Sequence, residues 1–215
     1  MTTSARLPGV PIVLSGPSGG GKTTVCDALV RRRADVAFSV SATTRAPRPD
    51  EVNDRHYRFV DRERFEQMAQ AGELLEWAEV HGEMYGTPRD QFEGVRAGRT
   101  LLLDIDVQGA RDVRRRVPES VLVFLLPPSA DSMLARLRKR GSEDEETLRR
   151  RMRTALAELD AVGEFDYAVV NEDLEATVDA VEAILEAERR AVTRLGANIV
   201  ERADALAEAL RGALE

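Results

Sequence analysis

The stretch Gly16-Pro17-Ser18-Gly19-Gly20-Gly21-Lys22-Thr23 constrains this chain more than any other, because it matches the phosphate-wrapping loop G-x-x-x-x-G-K-[ST]. Backbone N–H groups cradle a polyphosphate only where no Cβ crowds the turn and positive φ is allowed, and glycines meet both conditions. Lys22 adds a point charge for β- and γ-phosphates, and the Thr23 hydroxyl is a ligand for Mg²⁺. Such a loop works only between a buried strand and a helix. Val10 to Leu14 is the short apolar run a parallel strand needs, and Thr24 to Arg33 carries Val25, Ala28 and Leu29 at helical spacing. A helix starting at Gly21 or Lys22 aims its dipole at the phosphates.

The chain has 215 residues, enough for one core with inserted segments, and its 43% hydrophobic and 32% charged content suits a soluble globular protein. No apolar run approaches the roughly 18 residues of a membrane span, and Met1 to Pro8 lacks the apolar stretch of a secretory signal. The expectation is a cytoplasmic protein without a membrane partner. Cys26 is the single cysteine and His56 and His81 the two histidines, so neither an internal disulfide nor a structural zinc cluster is expected. A net charge of −7 argues against nucleic acid as a partner. An anionic ligand must therefore be met by locally gathered arginines.

Further along, Phe38 to Ser41 reads as a second strand that runs into Ala42-Thr43-Thr44-Arg45-Ala46-Pro47-Arg48-Pro49, where two prolines keep the backbone extended. Arg45 and Arg48 belong either to a surface linker or to a segment converging on one anion. His56 to Val60 alternates like a strand, and Arg62 to Ala71 like a short helix closed by Gly72. Leu74 to Val80 is apolar but contains Glu76, which suits either a solvated strand face or a site. Met84 to Pro88 reads as a turn carrying two hydroxyls, ahead of a helical stretch from Asp90 to Ala97. The strands and turns from about Ser39 to Phe92 look like an insertion into the parallel core.

Thr100 to Asp106 is a buried-strand candidate ending in carboxylates. Asp104 and Asp106 fit either a water-mediated Mg²⁺ contact or a helix cap. Val121 to Leu126 is a third strand, after which Ser129 or Asp131 caps a helix carrying Arg136 and Arg140 four apart and ended by Gly141. Glu143 to Glu146 opens another helix, with Arg149, Arg150 and Arg151 further along. This pair reads as salt-bridged surface helices or as a lid bringing arginines over a phosphate site. Asp166 to Asn171 is a final strand and Leu174 to Val192 a long helix. Ile199, Leu206 and Leu210 give the last amphipathic segment, Ile199 to Leu214, an apolar face that suits packing on the core or, second, a partner site.

Taken together, these stretches resemble guanylate kinases, members of the P-loop nucleoside monophosphate kinases. The likeness covers nearly the whole chain. It runs through Ser15 to Lys22, Ser41 to Arg48, Glu51-Val52-Asn53 with Tyr57, Glu76-Trp77, Tyr85-Gly86-Thr87 and Leu103 to Gly109. It continues through Arg136, Arg140 and Arg151 around Gly141, and closes with Val170 to Asp173.

The resemblance implies an α/β fold: a three-layer α/β/α P-loop NTPase core with a parallel sheet, an inserted mixed α+β GMP-binding region and a small helical lid. The implied divisions are a core of residues 1–38, 93–134 and 157–215, a GMP-binding region of 39–92 and a lid of 135–156. It also implies an enzyme that transfers a phosphoryl group from ATP, with Mg²⁺, to GMP or dGMP. Residues Gly16 to Thr24, with Arg136, Arg140 and Asn171, would bind ATP. Arg45, Arg48, Tyr57 and Tyr85 would hold the GMP phosphate, with Glu51 beside them, and Ser41, Glu76, Thr87 and Asp106 would surround guanine. Asp104 is assigned to the GMP side and, through water, to the metal with Thr23. Lys22, Arg45, Arg136, Arg140 and Arg151 would carry catalysis.

The chemistry of guanine agrees: one carboxylate such as Glu76 accepts from both N1–H and N2–H, and O6 needs a hydroxyl from Ser41 or Thr87. Adenine leaves Glu76 facing an unprotonated N1, a mismatch worth a factor of about 10⁴ or more. Three alternatives are weaker. A non-catalytic guanylate-kinase-like interaction module typically lacks a complete phosphate loop, a GTPase needs an Asn-Lys-x-Asp segment that this chain does not have, and a kinase with another acceptor has little need of Glu76 with Ser41 and Thr87.

Overall fold

The computed structural model describes residues 7–48, 51–80, 82–96, 98–139 and 145–213. Strand β1 (Pro11–Ser15) leads through the glycine loop to α1 (Lys22–Arg32), then β2 (Val36–Phe38) and β3 (Ala42–Thr43). Next come β4 (Arg58–Phe59), α2 (Arg62–Gln70), β5 (Leu74–Val80), β6 (Glu83–Pro88) and, after a 3₁₀ turn, α3 (Glu93–Arg96). The chain continues with β7 (Thr100–Asp104), α4 (Val107–Arg116), β8 (Val121–Leu126), α5 (Ala130–Lys139) and α6 (Glu145–Asp160). It ends with β9 (Tyr167–Val170), α7 (Leu174–Arg189), α8 (Val192–Leu195) and α9 (Ala197–Gly212).

Five strands form a parallel sheet in the order β2-β7-β1-β8-β9. Alternation along its strands splits two cores between its faces. Ile12, Leu14, Leu102, Val123 and Leu125 face Val25 and Leu29 of α1 and Val178, Val181 and Leu185 of α7. Val13, Leu101, Leu103 and Leu122 face Ala110 and Val113 of α4. These are the three layers, and β1 lies centrally, with Leu14 in register with Asp104 on one side and Ser15 with Phe124 on the other. The loop after β1 therefore emerges at the carboxyl ends of the sheet, where ligands gather in open α/β folds.

A second, four-stranded sheet runs β4-β3-β6-β5. Its β5 strand ties it to the core: Leu74 packs with Phe65 and Met68 of α2, whereas its neighbour Leu75 packs with Val13 and Leu101 of the parallel sheet. Helices α5 and α6 pack on each other through Met133, Leu137 and Ala155.

Several expectations need correction. Phe38 to Ser41 is not one strand: Phe38 ends β2, the Ser39 N–H donates to Leu102 O at 2.8 Å, and the chain then crosses to the other sheet as β3. Met84 to Pro88 is strand, not turn, because Gly82 (φ 86°) makes the reversal earlier and lets β6 pair antiparallel with β5. A Cβ at Gly86 would crowd the facing strand, 3.0 Å from Glu76 O and from Trp77 Cβ. The strand expected over His56 to Val60 shrinks to Arg58–Phe59. Of the two caps the sequence offers for α5, Ser129 is the one used, accepting from Ser132 N–H at 3.1 Å. The last helix does not pack on the core: Leu206 and Leu210 of α9 are 60% and 67% exposed. No helix among the described residues is long and apolar enough to cross a membrane.

Candidate active site

The glycine loop takes the conformation its sequence demands. Gly16, Gly19 and Gly21 have φ of 137°, 83° and 90°, a region that costs residues with a Cβ. Helix α1 follows Gly21 as its N-cap, with no side-chain cap and no acid in its first turn among the described residues, which leaves its N-terminal N–H groups and dipole for an anion. Lys22 Nζ lies on the loop, donating to Gly16 O at 2.8 Å and Pro17 O at 3.4 Å, and Gly20 N–H closes the turn onto Pro17 O at 2.9 Å. Thr24 sits exposed in the first turn of α1.

Three other elements reach the same loop. Arg136 Nη1 of α5 donates to Gly20 O at 3.2 Å, and the amide of the buried Asn171, just after β9, donates to the same carbonyl at 2.7 Å. Thr177 fixes that amide by donating to its oxygen at 3.2 Å. A Cβ at Gly21 would lie 2.4 Å from Asn171 Nδ2 and 3.3 Å from Arg136 Nη1, so only glycine permits the convergence. From α6, Glu158 Oε2 accepts the Ser18 N–H at 3.1 Å. Nothing in the local sequence pattern singled out Glu158; the available signal was its place seven residues, two helical turns, beyond Arg151. Arg151 Nη1 donates to Leu137 O of α5 at 3.3 Å. Arg140 lies outside the described residues.

At the carboxyl ends of β1 and β7, Thr23 Oγ1 donates to Asp104 Oδ2 at 2.8 Å. Asp106, two residues on, caps α4 by accepting Gly109 N–H at 2.8 Å. Its capping role and its proximity to the second sheet coexist, because its charge contributes to the titration of Glu76.

On the second sheet, Arg45 donates to Glu51 Oε1 at 2.8 Å, while the Arg48 N–H donates to Glu51 Oε2 at 2.8 Å. Burial works against the Glu51 carboxylate, yet the Arg45 hydrogen bond and the Arg48 N–H prevail and hold its pKa below the usual range. The Arg45 guanidinium sits over the rings of Tyr57 at 5.4 Å and Phe59 at 5.7 Å, and the Tyr57 and Tyr85 rings meet edge-on at 6.0 Å. Burial, with help from the negative charge of Asp104, pushes the Tyr57 hydroxyl up to about 12, so it stays a donor at neutral pH. Arg48 is the exposed member of this group.

Glu76 and Thr87 face one another across β5 and β6, where Thr87 Oγ1 donates to Glu76 Oε1 at 2.5 Å. Glu76 is 4% exposed, and that burial pushes its pKa up to about 7; Thr87 pulls the other way, and Asp106 and Asp112 add repulsion. Ser41 precedes β3 and its carbonyl accepts Arg58 N–H at 2.8 Å. Thus one end of the parallel sheet gathers the loop, Arg136, Asn171, Asp104 and Glu158, while the second sheet presents a cationic, hydroxyl-rich patch and a buried carboxyl.

The model of the family named guanylate kinase matches residues 9–188. The chain belongs to the guanylate kinase family. It is 48% identical over 187 residues to a guanylate kinase of Desulfitobacterium hafniense, covering 86% of this chain and 94% of that protein. With a guanylate kinase of Nocardia farcinica the identity is 52% over 166 residues, covering 76% and 86%. A crystal structure of guanylate kinase from Anaplasma phagocytophilum superposes with a TM-score of 0.74 at 36% identity, covering 88% of this chain and 92% of that one. Family membership makes this guanylate kinase family chain an enzyme of the nucleoside monophosphate kinase class.

Proposed function

We propose that the chain transfers the γ-phosphoryl group of Mg–ATP to GMP, and to dGMP, giving ADP and GDP. The observation that carries this reading is the buried Glu76–Thr87 pair, set beside Arg45, Tyr57 and Tyr85 on a sheet whose groups interact electrostatically with Asp104 and Asp106 of the loop's own sheet. On this reading Glu76 accepts from N1–H and N2–H of guanine, and Thr87 and Ser41 serve O6. Arg45, Arg48, Tyr57 and Tyr85 bind the acceptor phosphate, with Glu51 holding Arg45 and Arg48 in place. The loop, Lys22, Thr23 and Thr24 bind ATP, Asn171 braces the loop beside the nucleotide, and Arg136, Arg140 and Arg151 neutralise the phosphoryl group in flight.

The divisions into core, GMP-binding region and lid given above belong to this proposal, as do a place in purine nucleotide metabolism and a cytoplasmic setting, with ATP and GMP rather than nucleic acid as partners. The acceptor is already an anion and needs no strong base, so positioning and charge neutralisation carry the reaction. Closing both flanking regions on the core would exclude water, a competing acceptor.

The residues fit Mg²⁺. Thr23 Oγ1 and Asp104 Oδ2, 2.8 Å apart at the foot of the loop, are hard oxygen donors, and no group of three or more His, Cys, Asp or Glu that could hold a metal occurs among the described residues. Such a pair suits an ion that completes its shell with phosphate oxygens and water. When bound, Mg²⁺ supplies charge neutralisation at the phosphates. A coupled assay of ADP release from Mg–ATP with GMP, dGMP, AMP, UMP and buffer tests the proposal. Turnover with GMP and dGMP is expected, and equal release with AMP or with buffer alone would overturn it.

A further inference from the structure

Helix α6 does more than carry Arg151. Glu158, two turns further along, reaches across 140 positions of sequence to accept the Ser18 N–H inside the glycine loop at 3.1 Å. Burial raises the pKa of its carboxyl, with a smaller push from Asp106, and outweighs the Lys22 ammonium and the Ser18 N–H, which lower it. The carboxylate is thus an anion held where phosphate oxygens are received: on a loop amide, next to the loop lysine. Its neighbours behave alike. Arg136 and Asn171 both use Gly20 O, and Lys22 uses Gly16 O and Pro17 O.

We propose that Glu158 is a built-in competitor of the ATP polyphosphate, holding the Ser18 N–H until the nucleotide displaces it, so that ATP binding releases α6 from the loop. The inference rests on the ATP-binding role proposed for the loop. Only a bond to Ser18 N–H is exchanged; no covalent step is involved. Glu158 is half-buried at the end of α6, so a change of side-chain rotamer suffices to withdraw it. The displacement also gives ATP a route to Arg151, since both residues ride on one helix and α6 is held to the loop by Glu158 and to α5 by Arg151. Glu158 is a positioning residue: it acts on phosphate only through Ser18 and Lys22.

The test compares Mg–ATP binding by calorimetry in the wild type and in Glu158→Gln, without GMP. Gln keeps the shape and an acceptor oxygen but removes the charge. The variant is expected to bind Mg–ATP about fivefold more tightly, the difference between a charge-assisted and a neutral hydrogen bond, while GMP binding stays within twofold. Unchanged or weaker ATP binding in the variant overturns the inference. A wild type that binds no Mg–ATP overturns the ATP-site reading itself and the inference with it. An independent readout is the Ser18 amide resonance by NMR: it is expected to differ between the two proteins alone and to coincide when both are saturated with Mg–ATP. A difference that persists at saturation means that Glu158 stays on Ser18 and defeats the displacement.

Discussion

The glycine loop and the second sheet are built to suit an anion in opposite ways. The loop relies on main chain: three glycines at positive φ and a helix start left without a side-chain cap form the nest, which Arg136, Asn171 and Glu158 brace from outside. On the second sheet, side chains do the work, gathered from three stretches of chain and already paired with one another, as Arg45 is with Glu51. A nest made of backbone recognises any polyphosphate, whereas an array of side chains can discriminate. On the proposed reading, generic binding belongs to the loop and selectivity to the second sheet.

Mutations can break that division. Lys22→Ala should lower kcat by about 10³, the scale of losing one preorganised charge at a transferring phosphoryl group, with GMP affinity unchanged; stopped-flow turnover and GMP titration check it. Near-normal turnover would remove Lys22 from the chemistry. Arg45→Ala should act on the other half, lowering kcat/KM for GMP by about 10² while Mg–ATP binding is preserved, because a charged hydrogen-bonding partner of phosphate is lost. Part of that loss reflects Glu51, which would keep Arg48 as its cationic partner among the described residues.

A smaller effect sharpens the comparison. On the proposed reading, guanine's two donors bind the ionised form of Glu76, whose carboxyl burial has pushed up to about 7. GMP affinity should therefore rise as pH rises through about 7 and level off above it, whereas a Glu76→Gln protein should lack this pH dependence; KM for GMP between pH 6 and 8 reads the difference. Linkage runs the other way for the fold. A carboxyl whose folded pKa exceeds its unfolded value binds more protons when folded, so its contribution to stability declines as pH rises from about 4.5 to about 7.

The sequence spoke most clearly where chemistry dictates spacing. The loop, β5, β8 and the α2 helix were all legible, since each combines a period with a punctuating residue, such as Gly72 after α2. Glu76 stood out as a charge within an apolar run, and the structure buries it. Reading failed where pattern and pairing part company. Glu83 to Pro88 has too few apolar residues to announce a strand, and pairing with β5 on one side and β3 on the other makes it one. The apolar residues of α9 matched a packed helix but remain exposed, because periodicity cannot say whether a surface exists to receive them. Glu158 carries no local mark for a related reason: its contact joins residues far apart in sequence.

The central claim is that the buried carboxyl of Glu76 selects the purine. Its most direct test is the ratio of kcat/KM for GMP to that for AMP in the wild type and in Glu76→Gln. A ratio of about 10⁴ or more that falls by at least about 10² in the variant is predicted. A wild-type ratio near one, or a ratio left intact by the substitution, would contradict the account.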